Sequence, residues 1–263
     1  MSFGRISFPE GALGEEPCRM PILYFKDNVL ALPKHRNVLI APHPWYPKLP
    51  TLLNALREQI AEGRGILTDL GVQEVHATYL MDPEMTGVVV LGTSEEKAAE
   101  VKNAVGSDML TFEFIFLARQ VKDVKDEIIC ELPLAVHSQE PKVLVSHKTG
   151  KKTKTIFKKI GGNEKYCLWQ AQTNYLRLHQ IPVHAMECGL RIVGERLYSE
   201  EPEIYLSSMK KRYKRKGEEE RPLHEGPMLH LRKVEGSGIG VIEAEIPPKF
   251  KVTLKKLDIT NLI

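Results

Sequence analysis

The order of apolar runs along the chain is the feature that most constrains its fold. Short apolar runs typical of strands occur at 22–25, 29–32, 75–80, 88–92, 112–117, 142–145, 166–171 and 239–246. Helical spacing occurs at 52–60, from Ser94 onward, at 183–188 and after Pro247-Pro248. Strands predominate, and no steady βαβ period connects them. We therefore predict an α+β fold around a mixed sheet, not a doubly wound fold.

Turn and capping residues predict where the segments begin and end. Residues 1–20 contain Gly, Pro and Glu without periodicity, so we expect an extended N-terminal arm there. Thr51 predicts the start of the first long helix, because Thr is a favoured capping residue. Thr93 or Ser94, followed by acidic residues, predicts the start of the next helix. Gly189 predicts the end of the helix at 183–188.

Composition argues against several classes of protein. The 263-residue chain has no apolar run long enough to cross a bilayer and no apolar signal core near its first residues. We therefore expect a cytoplasmic protein with no membrane partner. The cysteines, at positions 18, 130, 167 and 188, form no C-x-x-C pair. This spacing predicts reduced thiols and no zinc site.

The segment from Arg177 to His184 places an Arg, two His and a Gln among aliphatic residues. Burying such groups costs free energy unless each finds a partner. The segment is therefore either an internal hydrogen-bond network that joins strand to helix or one wall of an active site. The first interpretation suits His179, Gln180 and His184 better than it suits Arg177.

Positive charge is concentrated in two runs, although the net charge is only +3. One run lies between Lys148 and Lys159, and the other between Lys210 and Lys216. Clustered Lys and Arg can follow a phosphate backbone. A lone cluster is more often a solvated loop or helix face. Two clusters that flank the polar segment shift the balance modestly toward an anionic partner.

Two further features are candidates for chemistry. Asp82 lies in a turn just before the apolar run 88–92, and loops at strand ends are where a rigid scaffold presents reactive groups. Asp before Pro is also a common turn residue. If Arg177 is half-buried it needs a carboxylate partner, for which Asp82 is a candidate.

Phe112 and Phe114 share one face of a predicted strand. A place in the hydrophobic core is the favoured interpretation, but a ring at a cleft edge could stack on a nucleobase.

Together these segments resemble the RluA-type family of RNA pseudouridine synthases. The strongest match is Arg177-Leu178-His179-Gln180-Ile181-Pro182-Val183-His184, where the family has R-T-H-Q-I-R-V-H, and it continues from Gly189 to Tyr198. A weaker match sets Tyr79-Leu80-Met81-Asp82 against the family's H-R-L-D. The resemblance covers roughly residues 20–258. It implies a stand-alone catalytic domain over residues 21–263.

The resemblance implies the pseudouridine synthase fold, with a mostly antiparallel sheet, flanking helices and a central RNA-binding cleft. It implies an isomerase that detaches uracil from C1′ of uridine, rotates it and rejoins it through C5, without a metal or other cofactor. Asp82 would be the essential carboxylate, and Arg177 the basic partner that keeps it ionised and aimed. Phe114 would pack on the flipped base, and Tyr79, His179 and Gln180 would also lie at the substrate. The substrate would be structured RNA, rRNA or tRNA, and the protein a monomer.

The chain also departs from the family pattern. Leu80 and Pro182 stand where the family has Arg, Phe114 lacks the hydroxyl of the family's Tyr, and Lys34-His35-Arg36-Asn37 replaces K-P-x-G. Three hypotheses therefore stay open. The chain is an active pseudouridine synthase, a catalytically silent relative that binds RNA or a ribonucleoprotein as an assembly factor, or an unrelated α+β domain whose polar segment is structural. We favour the first, because Asp82 and Arg177 are both present.

Overall fold

A computed structural model describes residues 3–209 and 219–259. The strands are β1 (Arg5–Phe8), β2 (Cys18–Pro21), β3 (Tyr24–Lys26), β4 (Val29–Lys34), β5 (His76–Ala77), β6 (Thr86–Gly92), β7 (Leu110–Arg119), β8 (Glu127–Cys130), β9 (Leu134–Val136), β10 (Val143–Val145), β11 (Thr155–Gly162), β12 (Tyr166–Thr173), β13 (Leu229–Gly236) and β14 (Gly240–Glu243). The helices are α1 (Leu52–Ala61), α2 (Ile66–Asp69), α3 (Glu95–Ala104), α4 (Gln180–Glu187), α5 (Leu206–Met209) and α6 (Pro248–Lys256).

The chain divides into two compact units, each assembled from separate stretches. The first comprises Met1–Glu113, Thr173–Leu178 and Leu231–Glu245, and the second Phe114–Gln172, His179–His230 and Ile246–Ile263. Both units combine helices with antiparallel strand pairs. The predicted α+β class with a mostly antiparallel sheet is confirmed.

In the first unit, β6 is the buried strand that presents the loop carrying Asp82. It pairs antiparallel with β4 from Val29 opposite Gly92 to Lys34 opposite Gly87. Residues 88–91 are buried, as their unbroken apolar run predicts. Helix α3 packs closely against the end of this strand, because a Cβ on Gly92 would lie 2.6 Å from the backbone nitrogen of Ala98. This packing fixes β6 and the loop that leads into it.

The N-terminal segment contains more structure than its composition indicates. Strands β1 and β2 pair antiparallel, and Ile6, Phe8 and Met20 are buried. The alternation of Ile6 and Phe8 is the signal for a strand, but it is short and surrounded by Gly, Pro and Glu. The sequence predicts no strand at the position of β13. Of the strand predicted at 239–246, only Gly240–Glu243 (β14) forms.

Both predicted helix starts are confirmed, but only one of the two residues caps its helix with its side chain. Ser94 caps α3 as predicted, because its hydroxyl accepts a hydrogen bond from the Lys97 backbone N–H at 3.2 Å. The predicted start of α1 is confirmed, because Thr51 occupies its N-cap position, but the Thr51 side chain makes no capping hydrogen bond. The carbonyls of Leu39 and Ile40 accept instead from the first N–H groups of α1, at 2.8 and 3.1 Å. The incoming loop thus satisfies the helix terminus.

In the second unit, a hydrophobic core forms around the C-terminal helix α6. Phe250 and Leu254 of α6 pack with Ile115 and Leu117 of β7 and with Leu168 of β12. Strands β8, β11 and β12 pair antiparallel in that order. Strand β11 lies outside the strands that the sequence predicts, because lysines interrupt its apolar pattern.

The first basic run includes the start of β11 and the loop before it. Lys148, Lys151 and Lys152 are exposed, whereas Lys154 pairs with Glu131 at 2.9 Å and Lys159 with Asp126 at 3.6 Å. The run therefore consists partly of solvated cations and partly of surface ion pairs. The second run, Lys210 to Lys216, lies outside the described residues.

Candidate active site

Asp82 is buried in the loop that precedes β6, with only 3% of its surface exposed. Its backbone carbonyl accepts a hydrogen bond from the Met85 N–H at 3.2 Å, which closes the predicted turn. The Pro83 carbonyl accepts from the Asn37 N–H at 2.8 Å and so attaches the turn to the chain beyond β4. A carboxylate held this far from water needs compensating charge or hydrogen bonds.

Lys34, at the end of β4, is buried beside this turn and is only 1% exposed. Its ammonium donates to the carbonyls of His35, Val38 and Pro83 at 3.1, 2.8 and 3.0 Å. Burial lowers the pKa of Lys34 to about 7, against the opposing effect of the nearby Asp82 and Glu84 carboxylates. Because a buried ammonium and a buried carboxylate stabilise each other's charged forms, Lys34 is part of the electrostatic environment of Asp82.

A cavity of about 390 Å³ opens beside the same turn, within the first unit. Its lining includes Tyr79, Leu80, Met81 and Pro83, which flank Asp82 in sequence, and Arg177 from the segment 173–178. The structure therefore brings the Asp82 loop and Arg177 to one cavity. The Arg177 guanidinium lies 5.9 Å from the centre of the Tyr175 ring, within the range of a cation–π contact. Arg177 itself is exposed and not half-buried, so burial does not require it to have a carboxylate partner, and its pairing with Asp82 stays a prediction.

Tyr79 is fixed to β6 by its hydroxyl group. The hydroxyl donates to the Val88 carbonyl at 2.9 Å and accepts from the Val90 N–H at 3.1 Å. Its ring meets Phe112 edge-on with centroids 5.1 Å apart. Burial raises the pKa of Tyr79 well above its usual range, so the group stays protonated. Its hydroxyl is thus engaged by the strand, and contact of Tyr79 with substrate stays a prediction.

Phe114 belongs to the second unit and is completely buried on β7. Its neighbour two residues on, Phe116, meets Phe157 edge-on with centroids 5.8 Å apart. Phe114 thus has the burial that the core interpretation predicts. Packing of its ring on a flipped base stays a prediction.

His179, Gln180 and His184 take part in hydrogen bonds at the start of α4 in the second unit. His179 Nδ1 lies 2.6 Å from the Tyr198 hydroxyl. Gln180 Nε2 donates to the Lys154 carbonyl at 3.2 Å and to Thr155 Oγ1 at 3.0 Å. His184 lies 2.9 Å from both Thr155 Oγ1 and the Leu132 carbonyl. These bonds form the helix-to-strand network that one interpretation of the segment predicts; contact of His179 and Gln180 with substrate stays a prediction.

Glu195 is a buried polar residue that the sequence reasoning missed. Its carboxylate accepts hydrogen bonds from the backbone N–H groups of Leu197, Tyr198 and Ser199, at 2.7 to 3.1 Å. These bonds order the loop that places Tyr198 beside His179. An acidic residue directly after Gly194 is the available signal, because a carboxylate can accept bonds from successive N–H groups in a turn.

Comparison with known proteins identifies proteins that are similar to this chain. No protein-family model matches the chain. A protein of Aquifex aeolicus named as an uncharacterized RNA pseudouridine synthase is 27% identical over 206 residues, which are 75% of this chain and 63% of that protein. The uncharacterized RNA pseudouridine synthase YlyB of Bacillus subtilis is 22% identical over 183 residues, 70% of this chain and 59% of its own length. The chain thus spans about three-fifths of the curated relatives that it matches.

Solved structures agree with these relatives. The human RNA pseudouridylate synthase domain containing 4 superposes with a TM-score of 0.65 at 14% identity, covering 90% of this chain and 92% of its own. The human domain containing 1 protein gives a TM-score of 0.57 at 16% identity, covering 89% and 86%. The chain is therefore similar in sequence and in fold to RNA pseudouridine synthases. The pseudouridine synthase fold that the resemblance implied is confirmed.

Leu80 and Pro182, at which the chain departs from the RluA-type pattern, have different surroundings in the structure. Leu80, at the position of a family Arg, is 47% exposed and lines the cavity beside Asp82. Pro182, at the position of another, is buried in the first turn of α4, where proline is tolerated. Among residues 3–209 and 219–259, no helix is long and apolar enough to span a membrane. The same residues contain no cluster of three or more His, Cys, Asp or Glu arranged to hold a metal ion.

Proposed function

We propose that the protein is an RNA pseudouridine synthase that converts uridine to pseudouridine in structured RNA, either rRNA or tRNA, with Asp82 as its essential carboxylate. The observation that carries the proposal is the buried position of Asp82, in a loop that borders a cavity shared with Arg177. The relatives named above support the reaction class. We further propose that the enzyme acts as a monomer in the cytoplasm.

The proposed reaction breaks the C1′–N1 bond of uridine, rotates the uracil and forms a C1′–C5 bond. The C5 proton leaves and N1 gains a proton, so the reaction has no net redox change and needs no cofactor. The uridine must leave its stack to reach a recessed carboxylate. The cavity of about 390 Å³ is of a size that accepts a small planar group.

Asp82 acts in this proposal as a nucleophile or as a base, and both roles require the ionised carboxylate. Lys34 lies close enough for the two charges to interact, and Arg177 on the cavity wall is the cation predicted to aim the carboxylate. A guanidinium stays charged at every pH of interest. It therefore supports Asp82 even where Lys34 loses its proton.

The test is release of tritium from RNA labelled at uracil C5. The wild type is expected to release tritium from a cellular RNA pool, and Asp82→Asn is expected to release none. This substitution keeps the size of the side chain and removes the charge, so unchanged thermal unfolding would show that the fold survives. Equal release by both proteins would refute the role of Asp82.

A second function is favoured by the cavity wall itself. Leu80 places an exposed aliphatic side chain on this wall where the family motif has Arg; Phe114, which is not part of the wall, lacks the hydroxyl of the family's Tyr. A catalytically silent relative that binds RNA or a ribonucleoprotein as an assembly factor would tolerate both changes. Salt-dependent RNA binding without tritium release from any RNA pool would establish this function in place of the first.

A further inference from the structure

A loop rich in aromatic and proline residues, Pro42–Pro47, forms a second wall of the cavity beside Asp82. His43 and Tyr46 both line the cavity, together with residues of the segment from Tyr79 to Pro83. The three rings of the loop contact one another. The His43 and Trp45 centroids are 5.2 Å apart, those of His43 and Tyr46 5.8 Å, and those of Trp45 and Tyr46 6.5 Å.

The backbone holds these rings in place. The Tyr46 N–H donates to the His43 carbonyl at 3.0 Å, and the Leu49 N–H donates to the Tyr46 carbonyl at 3.2 Å. The Trp45 N–H donates to His43 Nδ1 at 3.2 Å. Prolines at 42, 44, 47 and 50 restrict the backbone further. The loop is therefore preorganised, which lowers the entropy cost of binding a ligand against it.

The hydroxyl of Tyr46 differs from that of Tyr79 in being available to a ligand. The Tyr79 hydroxyl is engaged by the backbone of β6. Within residues 3–209 and 219–259, the Tyr46 hydroxyl makes no hydrogen bond to protein. Burial, together with the nearby Glu84 and Asp82 carboxylates, raises the pKa of Tyr46 to about 12. The phenol therefore keeps its proton at neutral pH and can act as a hydrogen-bond donor but not as a base.

We propose that Tyr46 contacts the flipped uracil in this cavity, with the edge of its ring against the edge of the base and its hydroxyl donating to a uracil carbonyl oxygen. The inference rests on the proposed function and names a substrate-binding residue that the family motifs do not include. It follows from the shared cavity, the ordered aromatic loop and a donor with no protein acceptor. Uracil presents two carbonyl acceptors, and the Tyr46 hydroxyl is a donor on the cavity wall.

Two substitutions and one control test this assignment. Tyr46→Phe keeps the ring and removes the hydroxyl, whereas Tyr46→Leu removes both. The control is Tyr24→Phe on β3, outside the cavity lining. If the donor contacts the base, Tyr46→Phe lowers kcat/KM for tritium release about 10- to 100-fold, and Tyr46→Leu lowers it further. Thermal unfolding of Tyr46→Phe and the activity of the control stay at wild-type values.

The outcomes separate this inference from the proposed function. An active wild type with an equally active Tyr46→Phe would overturn the role of Tyr46 and leave the function intact. If the wild type releases no tritium, the function fails, and binding decides the inference instead. The probe is an RNA hairpin with one unpaired loop uridine, compared with the same hairpin carrying an abasic site. Loss of the uridine preference in Tyr46→Phe supports the contact, and an unchanged or absent preference in both proteins overturns it.

Discussion

Replacing Lys34 with Met tests whether a titrating ammonium lies beside Asp82. The substitution keeps an unbranched apolar stem in the space next to the turn and removes the charge. It also removes the donor to the carbonyls of His35, Val38 and Pro83. Each lost hydrogen bond costs on the order of 1 kcal/mol, whereas removal of a buried charge is favourable. The change in packing does not depend on pH, whereas the buried charge disappears as Lys34 loses its proton between pH 7 and 9, so the pH dependence of the difference isolates the titration.

The sign and size of that dependence follow from the lowered pKa. The folded-state pKa of Lys34 is about 7, below its ordinary value of 10.5. Between these values the unfolded chain binds more protons than the folded chain, so the free energy of unfolding rises with pH. The contribution of Lys34 is least favourable below pH 7. From pH 7 to pH 9, titration of this group raises the stability of the wild type by about 2 kcal/mol relative to Lys34→Met.

Urea unfolding at half-unit intervals between pH 7 and pH 9 measures this difference directly. Other groups titrate similarly in both proteins and cancel. Lys48→Met, at an exposed lysine of the first unit, is the matched control and is expected to differ from the wild type by a constant amount. A difference between wild type and Lys34→Met that stays flat across this range would refute the reasoning. It would show that Lys34 keeps its proton, and that the carbonyl cage and Asp82 outweigh burial.

Two further substitutions test the structural parts of the fold. Thr155→Val removes the hydroxyl that forms hydrogen bonds with Gln180 and His184. The substitution is expected to lower the free energy of urea unfolding by about 1–3 kcal/mol. A loss no larger than that caused by Thr149→Val, at an exposed position, would contradict a stabilising network. Gly87→Ala places a Cβ 2.3 Å from the Leu231 carbonyl oxygen at a φ of +138°, and calorimetry is expected to show a loss of about 2–5 kcal/mol. Gly71→Ala, with a φ of +74° and open space around the added Cβ, separates backbone strain from the clash, and similar losses for both would argue against a close contact.

Local patterns predicted the parts of the structure that depend on neighbouring residues. The buried run 88–91, the turn that carries Asp82 and the capping of α3 by Ser94 are each encoded within a few positions. The strands that escaped prediction have weak local signals. Strand β11 contains Lys158 and Lys159 among its apolar residues, and β1 is a four-residue alternation among glycines and prolines.

The groups that the sequence reasoning missed depend on partners that are distant in the chain. Nothing near Lys34 indicates that its ammonium meets the Pro83 carbonyl, 49 positions away. The missing side-chain cap at Thr51 has the same origin, because the Ile40 carbonyl accepts from the Leu53 N–H in its place. Tyr46 borders the cavity only because a proline-rich loop folds back towards the Asp82 turn. The spacing of apolar residues carries no information about such contacts. The resemblance to the RluA-type motifs carries some, because it sets Asp82 and Arg177 in one predicted active site.

Lys34 and Arg177, the two cations of the proposed function, have different consequences for the charge of Asp82. Lys34, with a pKa of about 7, is only partly protonated at neutral pH, so its support for the carboxylate declines as pH rises. In the proposed function, Arg177 supplies the part of this support that does not change with pH, because a guanidinium does not lose its proton. Arg177 is exposed, so replacement by Lys would keep a positive charge on the cavity wall but would lose the planar set of donors with which a guanidinium can bind a carboxylate through two parallel hydrogen bonds. This donor geometry, and not a difference in desolvation, gives a physical reason for an arginine at the cavity wall.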